Sequence, residues 1–532
     1  ALMKKTYTEF STLGDLLVKA TQLYADNDML IFPERHVTYT QMHDMAYRRA
    51  RALIATGLRP GCHVGILMAN CIEYVEYLMA VQLIGGMAVP INARYKASEL
   101  AYVLENADID LVVTHDKISE YANFAQLIQE ALAEKLGPRL RHLVMIGKPT
   151  DGFVDDLAFL ESGESVSIDQ VDEYRAGVSV RQPAIMMYTS GTTANPKGCP
   201  LNHEVLVRNG INMNRSRYFL ESNDRFWAPL PMFHMAAILP LMCCMDAGAA
   251  LLSMIRVEPG LSLKMMEEEK VTVAFPSFPT IMQDLLNHPD FEKTDLSNLK
   301  RLNNVAPPDL LQRFQDALPQ AVQTGAYGLT EAGGVIAFNH PDESLEQRLH
   351  TCGKPMPGLL AKIVDPDTLE ERTTGEQGEI LLKGYSVFDG YYNAPEKNQE
   401  AFVDGWFRTG DLCAIDAAGG IEFHGRIKDM LKVGGENVAA LEIESFLLTH
   451  PSVIMAQVIG VPDDRLTEVA CAYIELHDGA SMTPEELIEF CRGKISSFKI
   501  PRHVRFVSEW PMSSTKIQKF VLKEKFSETA GT

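Results

Sequence analysis

The stretch from residue 64 to residue 91 constrains this chain most. Residues 64–69 (VGILMA) form an apolar run that reads as a strand. Residues 72–84 (IEYVEYLMAVQLI) read as an apolar-faced helix, and 87–91 (MAVPI) as another strand. Strand, helix and strand in that order make a βαβ unit, which implies a parallel sheet covered by helices. Similar runs recur at 111–114, 249–253 and 271–275. Between 363 and 392 the texture changes. Asp365, Pro366, Asp367, Gly375, Gly378 and Gly384 punctuate short strands there, so a small β-rich subdomain is expected. After Gly425 the pattern restarts. It predicts a helix over 438–449 ended by Pro451, strands at 453–461, 469–475 and 503–507, and a helix running to Arg492. That last helix opens with a capping box, Thr483 to Glu486, and has Pro484 at its first position. The expected fold is α/β. A large N-terminal domain, residues 1–427, combines βαβ-built sheets with the β-rich subdomain, and residues 428–532 form a small α+β domain.

At 532 residues the chain can bury a large core. Its net charge of −21 argues against nucleic acid or an anionic membrane as a main partner. Nine cysteines without a CxxC pair suit a reducing compartment, so a cytoplasmic location is expected. Cys243 and Cys244, adjacent in an apolar run, read as core thiols. The opening ALMKK has no apolar core behind it, and no signal peptide is expected. Residues 236–255 approach the length of a membrane span. Pro240, Asp246 and Gly248 interrupt them, which favours a buried helix followed by a strand. The oligomeric state stays open, a homodimer being one option.

The string YTSGTTANPKG, residues 188–198, follows a short apolar run at 184–187 that reads as a buried strand. Thr189, Ser190, Gly191, Thr192 and Thr193 are small or hydroxyl residues. They let backbone N–H groups point at an anion and add hydroxyl donors, while Lys197 supplies a charge. Such a loop is built to hold phosphate. It is not a Walker A loop, because no Gly-Lys-Ser/Thr is present.

Three later strings accompany the loop: YGLTE at 327–331, WFRTGD at 406–411 and GRIKDMLKVGGEN at 425–437. In this order the four resemble the adenylate-forming superfamily, over roughly residues 12–520. That group includes acyl-CoA synthetases, luciferases and the adenylation domains of peptide synthetases. The resemblance implies a ligase that uses ATP, Mg2+ and coenzyme A. It would form an acyl-adenylate and then an acyl-CoA thioester. A medium-chain or aromatic monocarboxylate is the expected substrate, with fatty acid metabolism as the setting.

By the same resemblance, Thr189, Ser190, Gly191, Thr192, Thr193 and Lys197 cradle the β- and γ-phosphates. Tyr327 stacks on adenine, Thr330 donates to the α-phosphate, and Glu331 holds Mg2+. Asp411 and Arg426 bind the ribose. His234, Val305 and Gly325 border the acyl site. Gly434 and Gly435 face the CoA thiol channel, and Lys428 is the hinge on which the small domain moves. Lys516 is the catalytic lysine. The segment PMSSTKI at 511–517 is one residue shorter than the family pattern and lacks its glycine, so Lys519 is a rival. Asn304 and Val305 stand where the family has two glycines, which adds bulk beside adenine and the acyl group. Met232, Met235, Met242 and Met245 read either as an adaptable pocket or as plain core. Two other classes stay open. One is an enzyme that loads an amino or carboxylic acid onto a carrier protein, although residues 230–239 hold no Asp to pair an α-ammonium. The other is a catalytically silent nucleotide-binding regulator.

Overall fold

The computed structural model describes residues 11–135, 137–189, 196–433, 436–463, 465–513 and 516–530, with the side chains of residues 436, 437, 513, 516, 529 and 530 left aside. The expected α/β fold is what it shows. One seven-stranded sheet runs in the order Val154–Asp155, His142–Ile146, Leu111–His115, His63–Leu67, Met87–Pro90, Pro183–Thr189, Lys197–Asn202. All its pairs are parallel except the last. Strands His63–Leu67, Met87–Pro90 and Leu111–His115 are buried at every residue. That is why they read as continuous apolar runs rather than alternating ones: helices cover both faces of a parallel sheet. The helix Ile72–Leu83 joins the first two of these strands and is buried at all but one position.

A second seven-stranded sheet has the order Val322–Thr324, Arg301–Asn304, Val273–Ser277, Arg225–Trp227, Ala250–Leu252, Asp28–Phe32, Arg35–Thr38. It too is parallel until its last pair. The apolar run at 236–255 resolves into the buried helix Met235–Ala247, with Pro240 inside it, and the strand Ala250–Leu252. Cys243 and Cys244 are core thiols on that helix, and none of the nine cysteines is in a disulfide. Among the described residues no helix is long and apolar enough to cross a membrane.

The β-rich region extends further than the sequence suggested. Its antiparallel strands are Leu359–Val364, Gly378–Gly384, Trp406–Ile415 and Phe402–Val403, and Ile421–Arg426 pairs with Trp406–Ile415. A 3-10 turn, Ile427–Asp429, follows at once. Then Met430–Val433 opens another sheet, completed by Glu436–Ala439, Thr467–Leu476, Val453–Asp463 and His503–Phe506. The helix expected over 438–449 begins later, at Ala440, and ends at Leu447. Val438 is instead a strand residue paired with Leu431. A buried β-branched side chain with a cross-strand partner suits a pleat better than a helix. The capping box at Thr483 forms as expected: its side chain accepts from Glu486 N, and the Glu486 side chain accepts from Thr483 N.

Candidate active site

Ligands of open parallel sheets bind outside the carboxyl ends of the strands. Four of the sequence-predicted residues stand at those ends. Thr189 closes the strand Pro183–Thr189 of the first sheet. In the second sheet His234 follows Arg225–Trp227, Val305 follows Arg301–Asn304, and Gly325 follows Val322–Thr324. Asn70, which stands in none of the motifs, joins the two edges. Its amide donates to Leu230 O at 2.8 Å and Ser253 Oγ at 3.1 Å, and its Oδ1 accepts from Met232 N at 2.8 Å. The buried amide thereby fixes the segment that leads into His234.

Glycine shapes the YGLTE turn. A Cβ at Gly328 would stand 1.9 Å from Gly334 O, so only glycine permits the turn to close on itself. Gly334 in turn packs against Met235 and Leu239, which brings the start of the His234 helix to the turn carrying Thr330 and Glu331. Thr330 and Glu331 are half-buried on the 3-10 turn Thr330–Ala332.

Glu331 is held by a residue the sequence did not flag. Tyr391 Oη donates to Glu331 Oε1 at 2.9 Å, and the Lys197 ammonium lies 4.8 Å from the centre of the Tyr391 ring. Burial, then the like charge of Lys397, pushes the Lys197 ammonium below the usual lysine range. A cation disfavoured in this way gains from an arriving anion. Among the described residues no three His, Cys, Asp or Glu side chains form a metal cage. A single carboxylate near the Lys197 ammonium is a donor set that fits Mg2+ delivered with a nucleotide, since Mg2+ keeps waters and phosphate oxygens as its other ligands.

Asp411 and Arg426 are cross-strand partners on Trp406–Ile415 and Ile421–Arg426, so the pair is fixed by register. Arg426 Nε stands 2.7 Å from Asp411 Oδ1. Tyr327 Oη donates to Asp411 Oδ2 at 2.5 Å, and its ring stacks on Phe423 at 5.3 Å. The Tyr327 phenol is thus a support for Asp411, a role beyond the adenine stacking expected for its ring. Burial works against the Arg426 charge. Asp411, Tyr327 and Glu331 outweigh it and raise the pKa.

The substrate-side residues differ among themselves. Val305 is 48% exposed, with its N–H donating to Ser277 O. Asn304 is fully buried, and its amide donates to Gln323 Oε1 at 2.9 Å. Gly325 is buried and its N–H donates to Asn339 Oδ1 at 2.8 Å. His234 is half-buried at the N-cap of its helix, with its ring against Phe233. Met232, Met235, Met242 and Met245 are all buried and belong to one core cluster.

Ser190, Gly191, Thr192, Thr193, Gly434 and Gly435 lie outside the described residues, as does the Lys516 side chain. Lys428 lies in the turn Ile427–Asp429 between the two sheets. Lys519 is engaged: its ammonium is 2.6 Å from Glu444 Oε1 and 4.0 Å from Asp429 Oδ2.

The fold and this cluster define an adenylate-forming ligase. The model of the AMP-binding enzyme family matches residues 17–392, and that of the AMP-binding enzyme C-terminal domain matches 442–516. A putative acyl-CoA synthetase, YngI of Bacillus subtilis, is 36% identical over 97% of each chain. The mitochondrial medium-chain acyl-CoA ligase ACSF2 of Rattus norvegicus is 32% identical over 97% of this chain and 88% of its own. Among solved structures, the anthranilate CoA ligase AuaEII with anthranoyl-AMP superposes with a TM-score of 0.85 at 26% identity over 98% of each chain. ATP-bound MatB from Rhodopseudomonas palustris gives 0.83 at 26% identity over 98% of this chain and all of its own. The chain belongs to the AMP-binding enzyme family, and it is an ATP-using, AMP-forming acid–thiol ligase of the acyl-CoA synthetase type.

Proposed function

We propose that this chain is an ATP- and Mg2+-dependent carboxylate–CoA ligase acting on a medium-chain or aromatic monocarboxylate. The observation that carries the reading is that Glu331 acts electrostatically on both Lys197, which pairs with Thr189 at the strand end, and Arg426, which holds Asp411. The acyl preference rests on the names of relatives, a medium-chain ligase and an anthranilate ligase, and on the exposed apolar Val305 just past the strand Arg301–Asn304. Nine unpaired cysteines fit a cytoplasmic setting.

A carboxylate is a poor electrophile, and adenylation gives it a leaving group. Its oxygen attacks the α-phosphorus and the bond to pyrophosphate breaks. The CoA thiolate then attacks the acyl carbon and AMP leaves. Lys197 and the hydroxyls of the 189–193 loop hold the β- and γ-phosphates. Asp411 accepts from the ribose hydroxyls while Arg426 and Tyr327 keep it in place. Thr330 donates to the α-phosphate, whose charge Lys516 offsets as the acyl-adenylate forms. Bound Mg2+ supplies charge neutralisation at the phosphates, with Glu331 as its protein ligand. Residues 428–532 turn about Lys428, presenting Lys516 for the first step and then Gly434 and Gly435 for passage of CoA. The Lys519–Glu444 ion pair supports the choice of Lys516, since Lys519 already has a partner within its own domain.

Two half-reactions test the reading. Pyrophosphate release should depend on an added carboxylic acid, and thioester formation on CoA rather than a carrier protein. Acid-independent behaviour would leave the silent regulator, and carrier-only transfer the loading enzyme. Lys516→Ala should abolish adenylation yet still turn a supplied acyl-adenylate and CoA into thioester. Lys428→Pro, which fixes φ near −65°, should do the reverse. If Lys519→Ala alone blocks adenylation, Lys516 is the wrong lysine.

A further inference from the structure

Between the β-rich region and the 188–202 hairpin runs a strap, residues 388–398, that none of the recognised motifs contains. It is fastened at two points. At one, Phe388 N donates to Glu331 O at 2.8 Å. At the other, Tyr392 N donates to Gly198 O at 2.9 Å, and Tyr392 Oη donates to Asp108 Oδ2 at 2.8 Å. Tyr391 stands between them. Asn398 clamps its backbone on both sides, accepting from Tyr391 N at 2.7 Å and donating to Tyr391 O at 2.9 Å. Phe388 meets its ring edge-on at 4.8 Å.

We propose that Tyr391 is a positioning residue of the adenylation site, holding Glu331 through its hydroxyl and Lys197 through its ring. The proposal rests on the reading of Glu331 and Lys197 as groups that serve the metal and the phosphates. A free glutamate side chain has three rotatable bonds, and ordering it costs conformational entropy. The hydroxyl at Glu331 Oε1 meets that cost before ligand arrives and leaves the second carboxylate oxygen for a cation. The same ring faces the Lys197 ammonium, so one rigid side chain sets a carboxylate and a cation that lie far apart in sequence. Because the strap is tied to both Glu331 and Gly198, a displacement of either group is resisted by the other.

The test is equilibrium binding of Mn2+ together with a non-cleavable ATP analogue, α,β-methylene-ATP, read from the electron paramagnetic resonance signal of free Mn2+. Tyr391→Phe keeps the ring over Lys197 and removes only the hydroxyl. Mn2+ binding in the presence of the analogue should weaken about tenfold, the scale of one hydrogen bond to a charged group. Analogue binding without metal should stay unchanged, as should conversion of a supplied acyl-adenylate to thioester. Tyr391→Leu, which also removes the ring, should weaken metal-free analogue binding as well. In the Glu331→Gln background Tyr391→Phe should add nothing, since its effect passes through that carboxylate. Unchanged Mn2+ binding in Tyr391→Phe, with Glu331→Gln impaired, would overturn the proposal alone. Full additivity of the two substitutions would also overturn it. Unchanged Mn2+ binding in Glu331→Gln would remove the metal role of Glu331 and the proposal with it.

Discussion

Arg49 and Arg426 each sit on a carboxylate that also accepts a tyrosine hydroxyl, yet the two clusters are closed off differently. Arg49 Nε donates to Glu76 Oε2 at 2.8 Å and its NH1 to Asp156 Oδ1 at 2.7 Å. Tyr77 Oη donates to the same Asp156 oxygen at 2.6 Å, and the guanidinium lies 4.2 Å over the Tyr77 ring. The Arg49 side chain is 3% exposed and two carboxylates share it. Around Asp411 the count is reversed: one carboxylate, 2% exposed, is served by an arginine and a tyrosine. Arg426 keeps 38% of its side chain in solvent. The first cluster ties a helix to the elements packed on it, and its arginine is closed off from water. In the second, one cation faces water, and water is what a ribose or phosphate would replace. Residue type alone does not separate a structural ion network from a binding site; access to its polar groups does.

The largest expected effect lies in the closed cluster. Arg49→Met strands two buried carboxylates and should cost about 3–5 kcal/mol of stability in denaturant unfolding. ATP affinity of the folded protein should not change. If it fell in step, the first cluster would belong to the site and the comparison would break. Next comes Asp411→Ala, which should weaken ATP binding by roughly 1.5–3 kcal/mol in calorimetric titration. Its cost in stability should be smaller than that of Arg49→Met, because Arg426 can rehydrate where Arg49's former partners cannot. Unchanged ATP affinity would remove the ribose role.

The fold was legible where burial writes itself into local pattern. Strands such as His63–Leu67 are apolar at nearly every position because both sheet faces are covered. The misplaced helix start at Val438 shows the limit: its strand identity comes from Leu431 across a pairing that no local window contains. In the site, Asp411, Arg426 and Glu331 were legible because they stand in strings resembling a family. Tyr391 and Asn70 were not. Their partners lie 60 and 160 residues away in sequence, and neither side chain carries a charge that would draw notice. The burial of Asn304 escaped for the same reason, because the direction of a side chain at a strand end depends on Gln323 in the neighbouring strand.

The smallest expected effect gives the sharpest comparison, since it deletes the same atom in both clusters. Tyr77→Phe and Tyr327→Phe each remove one hydroxyl that donates to a buried carboxylate and leave the ring in place. In the closed cluster Asp156 retains Arg49, so Tyr77→Phe should lower stability by about 1 kcal/mol and leave ATP affinity alone. In the open cluster Asp411 would be held by Arg426 only. With the Tyr327 hydroxyl gone, the carboxylate could turn toward the exposed guanidinium and lose its aim at the ribose. Tyr327→Phe should therefore raise the Kd for ATP about fivefold, close to 1 kcal/mol, with a smaller change in stability than Tyr77→Phe. The ring stack on Phe423 survives the substitution, so a loss of adenine packing cannot mimic the result. If both variants lose stability equally and neither loses ATP affinity, the Asp411 cluster is a second structural network, and its partial exposure has no bearing on nucleotide binding.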